Sequence, residues 1–129
     1  VEKYIHNMEE LNTDKCVDLD SCIEWIMDGH KDDPQFMRVF GMSEDDAICE
    51  THHGFGTWLR NTLGLWTNGA PVKYFNDLGI YHADDMSGII LTSLHRKQNN
   101  VDIDLDKQVK HYIDYWEENR PEVNKGNLN

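Results

Sequence analysis

Two groups of side chains carry whatever chemistry this sequence can do. His53, Arg60 and Asn61 lie in the stretch from Ser43 to Trp66, and His82, Asp84 and Asp85 gather at a later helix start. On one continuous helix His53 and Arg60 stand close to two turns apart, with Thr57 between them, so they share a polar face. Set against His82 and Asp84, they would form an acid–base pocket. In it Arg60 holds an anionic group while His53 or His82 moves the proton. The structural alternative pairs Arg60 with Asp84 or Asp85, bonds Asn61 to loop backbone, and so ties two helices together. The tie is favoured, because buried polar groups must find partners whatever the function. Arg60, Asn61, Asp84 and Asp85 are therefore the candidate binding residues. His53, Arg60, His82 and Asp84 are the candidate catalytic set if the chain is an enzyme.

Asp45, Cys49 and His52 (or His53) follow i, i+4, i+7/8 spacing, which would place three metal ligands on one helix face. A capping aspartate, a buried thiol and a surface imidazole account for the same residues without a metal, so no metal site is assigned. No P-loop, dinucleotide-binding glycine pattern, Gly-x-Ser-x-Gly elbow or His-Glu-x-x-His is present. No cofactor is expected.

The elements that must position these residues are helical. Apolar residues recur at helical spacing from end to end, and no period-two run suggests a strand. Residues 2–11 form a short helix in this reading. Asp18 or Asp20 caps the next, which carries Leu19, Cys22, Ile23, Trp25 and Ile26 and stops at Gly29. Pro34 opens a short helix that Gly41 closes. Ser43 caps a central helix, 43–65, with Glu44, Asp45 and Asp46 at the positive end of its dipole.

Ile48, Phe55, Leu59 and Trp66 form the buried stripe of that helix. Gly54 and Gly56 each cost about 1 kcal/mol against alanine inside a helix. Close approach of another helix's backbone is the expected compensation, and a break near Gly54 the competing one. Pro71 starts a helix ending at Gly79. Asp84, or His82, starts one running through His95, and Asp104 caps the last, whose stripe is Leu105, Val109, Tyr112, Ile113 and Trp116. Trp58, Trp66, Tyr74, Phe75, Tyr112, Tyr115 and Trp116 sit at helical spacing, which assigns most of them to the core. The expected architecture is an all-α single domain, 1–120, a bundle of about six helices around 43–65. Residues 1–40 are its variable part and 121–129 a flexible tail.

The chain of 129 residues carries 24 acidic against 12 basic residues, a formal charge of −12. Such a charge repels phosphates, so direct nucleic-acid binding and acidic membranes are poor partners. A protein with a basic surface fits, including one that normally holds nucleic acid. No apolar run approaches the roughly 18 residues of a membrane span, and no basic-then-apolar leader opens the sequence. Three cysteines, with no Cys-x-x-Cys pair, fit reduced thiols in a cytoplasm.

From Ser43 to Trp116 the sequence carries His52-His53-Gly54-Phe55-Gly56-Thr57-Trp58-Leu59-Arg60-Asn61 and Gly64-Leu65-Trp66. Tyr74-Phe75, Gly79-Ile80-Tyr81-His82-Ala83-Asp84-Asp85-Met86-Ser87 and Tyr115-Trp116 follow. In these it resembles a domain family of unknown function found in bacteria and their phages, with alanine at 83 where that pattern has proline. The resemblance implies no reaction. Charge, size and the missing catalytic motifs lead to a small, acidic, non-enzymatic interaction protein that binds and inhibits another macromolecule, and the resemblance implies the bacterial cytoplasm as its setting. An inhibitor of a host defence system, carried by a phage or mobile element, is the concrete form of that expectation. A ligand-binding domain or minor enzyme, and a phage assembly component, are the alternatives.

Overall fold

The computed structural model describes residues 12–120. The expected helix over 2–11 and the expected tail fall outside that range. The described residues fold as an all-helical bundle: α1 (Leu19–His30), α2 (Pro34–Met37), a 3-10 turn (Arg38–Gly41), α3 (Glu44–His52), α4 (Phe55–Thr62), α5 (Val72–Asp77), α6 (Ala83–Gln98) and α7 (Leu105–Glu118).

Local chemistry explains most helix starts. Asp18 and Ser21 form a reciprocal capping box at α1, Asp33 accepts from the amides of Gln35 and Phe36 at α2, and Ser43 accepts from the Asp46 amide at α3. The starts of α6 and α7 lack a side-chain cap. His82, the second of the two candidates, and not Asp84 occupies the N-cap of α6. Asp104 stands at the N-cap of α7 with φ 53°, and its carboxylate caps nothing. Three ends share one solution. After α4, α5 and α6 the chain turns left-handed at Gly64, Gly79 and Asn100, and the next amide reaches back to the carbonyls of Arg60, Phe75 and Arg96. At α1 the helix runs through Gly29 to His30 instead of stopping there.

The stretch from Ser43 to Trp66 is not one helix. It breaks at His53 and Gly54 into α3 and α4, so the competing reading of the two glycines holds. A Cβ on Gly56 would lie 3.0 Å from the Thr51 carbonyl oxygen and 3.0 Å from Arg60 Nη1. The glycine thus admits both the last turn of α3 and the guanidinium. Trp66, placed in the buried stripe by periodicity, is 60% exposed in the turn after α4.

The post of the fold is α6. It packs against α1, α3, α4 and α7 and buries Ala83, Met86, Ile89, Ile90, Leu91 and Leu94. From Met86 to His95 every residue of α6 is buried or half-buried, which places the helix inside the bundle. The core continues through Ile23, Trp25 and Ile26 of α1, Phe55, Trp58 and Leu59 of α4, and Phe75 of α5. Trp25 stacks on Trp58 with ring centres 5.7 Å apart, and the His30 ring lies among Phe36, Phe55 and Trp58. In contrast, α7 lies at the edge: Tyr112 and Ile113 are half-buried, while Tyr115 and Trp116 are exposed.

Candidate functional site

Both groups of candidate residues converge on the N-terminal end of α6, with different outcomes. Arg60 is buried, 5% exposed, and each part of its guanidinium is engaged. Nη1 donates to Ser87 Oγ at 2.9 Å, and Nη2 donates to the His52 carbonyl at 3.0 Å and Thr57 Oγ1 at 3.2 Å. Nε lies 3.3 Å from Asp84 Oδ1. One side chain therefore joins the end of α3, the body of α4 and the start of α6. Arginine suits this role because its planar fork offers several fixed donors at once.

The imidazoles do not join that cluster. His53 is exposed at the C-cap of α3, before the break, so the spacing that aligned it with Arg60 no longer applies. It meets the His52 ring edge-on at 4.8 Å. Asn61 is exposed. Asp45, Cys49 and His52 lie on α3, but among the described residues no group of three His, Cys, Asp or Glu side chains could hold a metal ion. Cys49 is exposed, whereas Cys16 and Cys22 are buried together. The hydrogen bond with Cys16, reinforced by burial, pushes the Cys22 thiol well above its ordinary value.

A second arginine does similar work at the other end of α6. Arg96 Nε and Nη2 reach the Glu44 carboxylate at 2.7 and 3.2 Å, and Nη1 donates to the Ile103 carbonyl at 2.7 Å. The hydrogen bonds from Arg96 hold Glu44 below the usual carboxylate range. His95 Nε2 lies 3.0 Å from the Met42 carbonyl oxygen. The antiparallel α3 and α6 are thereby fixed at both ends. No sequence spacing linked Arg96 to Glu44.

His82 and Asp85 face the other way, toward α7. The His82 ring stacks on Trp116, centres 3.9 Å apart and planes 17° from parallel. The Trp116 indole N–H donates to Asp85 Oδ2 at 2.8 Å. Burial holds the Asp85 carboxyl above its ordinary range, against the opposing pull of that hydrogen bond. Tyr112 is held close: a Cβ on Gly88 would come within 2.6 Å of its hydroxyl oxygen. Burial, with the charge of Asp85 adding to it, raises the Tyr112 phenol as well.

Beside this group opens a cleft of about 400 Å³, which Trp66, His82, Asp84, Asp85, Tyr115 and Trp116 help to line. A neighbouring cavity of about 240 Å³ shares His82, Asp85, Tyr112 and Trp116, so the His82–Trp116 stack is a common wall. The open site thus holds His82, Asp84 and Asp85 from the sequence-predicted set. It lacks His53 and Arg60. Trp66 and Trp116, placed in buried stripes by periodicity, are instead its walls, together with Tyr115.

Sequence comparison covers the same ground. The model of a domain of unknown function (DUF6794) matches residues 17–98. The chain belongs to this DUF6794 family. The match runs from before α1 to the end of α6, so it begins earlier than the resemblance from Ser43 and stops short of α7. The Arg60 tie lies wholly within the DUF6794 range, whereas the cleft is completed by a helix beyond it. No curated protein and no solved structure matches the chain. No helix among the described residues is long and apolar enough to cross a membrane.

Proposed function

We propose that this DUF6794 protein is a non-enzymatic binding protein for a macromolecular partner with a basic surface. The observation that carries the reading is the engagement of Arg60. The guanidinium that spacing singled out as the anchor for an anionic substrate is 5% exposed and bonded to Ser87, Thr57, the His52 carbonyl and Asp84. The acid–base pocket suggested by spacing therefore has no anchor, and His53 stands apart from it. What faces solvent is acid in excess, from a chain of formal charge −12. Surfaces of opposite charge accelerate encounter and set orientation. A bound acidic domain of this size excludes competitors from the surface it covers. In its sharpest form, a phage or mobile-element protein occupies the nucleic-acid-binding face of a host defence protein.

The test is capture of partners from a bacterial lysate by the full chain at increasing salt. Glu24→Lys/Asp28→Lys on the exposed side of α1 serves as the charge-reversal control. Specific capture that weakens steeply with salt and with charge reversal supports the proposal. Absence of a specific partner at moderate salt, or capture indifferent to salt, sinks it. The cleft beside His82 and Asp85 favours a second reading, binding of a small group, and that reading can be made part of the first.

A further inference from the structure

We infer that the aromatic cleft between the start of α6 and α7 receives a cationic side chain, an arginine or lysine presented by the basic partner. The inference rests on the binding reading above and names the point of contact. Three kinds of observation support it: which aromatics are exposed, how their rings are fixed, and which charges line the space.

Exposed large hydrophobics concentrate here. Trp66 is 60%, Tyr115 50% and Trp116 38% exposed, and all three line the cleft of about 400 Å³. Indole and phenol rings have an apolar body and a polar edge, and they sit at surfaces chiefly where something covers them. The core had room for aromatic rings of this type, as Trp25 and Trp58 demonstrate, so outward placement follows from position on α7 and in the turn after α4 and not from size.

The walls are also pre-organised. Trp116 is clamped by His82 on one face and by Asp85 at its indole nitrogen, and Tyr115 meets it edge-on, 87° between planes and 5.2 Å between centres. Perpendicular rings with their positions already fixed present π faces to a guest without ordering cost.

Charge selects the guest. Among the described residues, the side chains lining this cleft include Asp84 and Asp85, with His82 and His111, and no lysine or arginine. Asp84 gives one oxygen to Arg60 while its side chain remains 58% exposed, so carboxylate surface is left over. Electron-rich ring faces beside carboxylates attract organic cations, and arginine most of all, since its flat guanidinium stacks on indole. A bare metal ion is a poor alternative, because no suitable group of ligands assembles among the described residues. Among the described residues, Arg120 borders the neighbouring cavity and not this cleft.

The experiment uses the full isotope-labelled chain and three short peptides, neutral apart from one central residue: arginine, its uncharged isostere citrulline, or glutamate. Indole N–H and backbone amide resonances report occupancy. The arginine peptide should bind about tenfold more tightly than the citrulline peptide. It should shift the Trp66 and Trp116 indole signals. Trp66→Ala and Tyr115→Ala should each weaken binding severalfold. Asp85→Asn retains an acceptor for the Trp116 indole while removing the charge, and it should weaken the arginine peptide but not the citrulline peptide.

Equal affinity for arginine and citrulline, preference for glutamate, or shifts confined to other surfaces would each overturn the proposal. So would a concentration-dependent dimer whose contact covers Trp66 and Tyr115, since a second copy would then be the occupant. A partner captured with unchanged affinity by Trp66→Ala/Tyr115→Ala would remove the cleft while leaving the broader acidic-surface reading intact. Arginine binding without any salt-sensitive partner would do the reverse.

Discussion

Asp84 and Asp85 are adjacent in the chain, yet they serve two regions built on opposite principles. Successive residues on an α-helix point about 100° apart, so the first reaches toward α4 and the second toward α7. On the α4 side, Arg60 is buried and its donors are met by Ser87, Thr57, a helix-end carbonyl and Asp84. On the α7 side, one hydrogen bond and one ring stack hold a group of aromatics open to solvent. Buried polar groups are costly unless fully partnered, which makes the first region rigid and closed to ligands. Exposed rings around a half-buried carboxylate leave unmet affinity, which makes the second available. A cluster rich in chemical side chains can therefore be scaffold, while aromatics that read as core can be the open surface.

That contrast can be broken by mutation. The largest effect is expected from Arg60→Ala, which removes the joint between α3, α4 and α6 and leaves a cavity. We expect a loss of about 2–4 kcal/mol in urea unfolding, discounted from a fully buried pair because Asp84 remains solvated. Arg60→Lys should recover only part of it, since one ammonium cannot reach all the acceptors. A loss below about 1 kcal/mol would show that the tie is not the scaffold described.

Gly88→Ala comes next. Its Cβ would press on the Tyr112 hydroxyl, and forcing α7 outward should cost about 1–3 kcal/mol. Tyr112→Phe added to it should restore stability, because the atom in the way is the phenol oxygen. Failure of that rescue would mean that α7 packs otherwise.

Smaller effects follow from acid titration. Glu44 is held below its ordinary range by Arg96, so its contribution is present above the unfolded carboxylate pKa and lost as pH falls through the lowered folded value. Asp85 is raised by burial, so its contribution has the opposite sign and is lost as pH rises through the raised value. Glu44→Gln should flatten the acid limb of a stability–pH profile, whereas Asp85→Asn should flatten the decline above it. Unchanged profiles in both variants would contradict these assignments.

The smallest stability change is expected at the cleft. Trp66→Ala and Tyr115→Ala should each alter unfolding by less than about 1 kcal/mol, because both side chains are already largely solvated. Thermal melts check this. A larger loss would return them to the core and dissolve the comparison.

Helix class, most helix starts and the apolar faces of α1 and α6 were legible in the chain because they depend on local pattern: a capping side chain, a period near 3.6, a glycine that permits left-handed backbone. The carboxylate partner of Arg60 was also within reach, since a buried guanidinium needs one and Asp84 and Asp85 were the acids at a nearby helix start. The break at Gly54 was visible only as an option. Whether glycines kink a helix or admit a neighbour depends on what packs there, and here Gly56 admits both the Thr51 carbonyl and Arg60. The outward turn of Trp66, Tyr115 and Trp116 was hidden altogether, because helical spacing specifies a shared face but not whether another element covers it.

By itself, then, the sequence determined an acidic helical chain and the ends of most of its helices, since charge and caps act through neighbours along the chain. Only the tertiary structure decided that α6 is the central post and that Arg96 meets Glu44. It alone made Arg60 scaffold and set three aromatics around an open cleft, for these depend on which faces the bundle brings together.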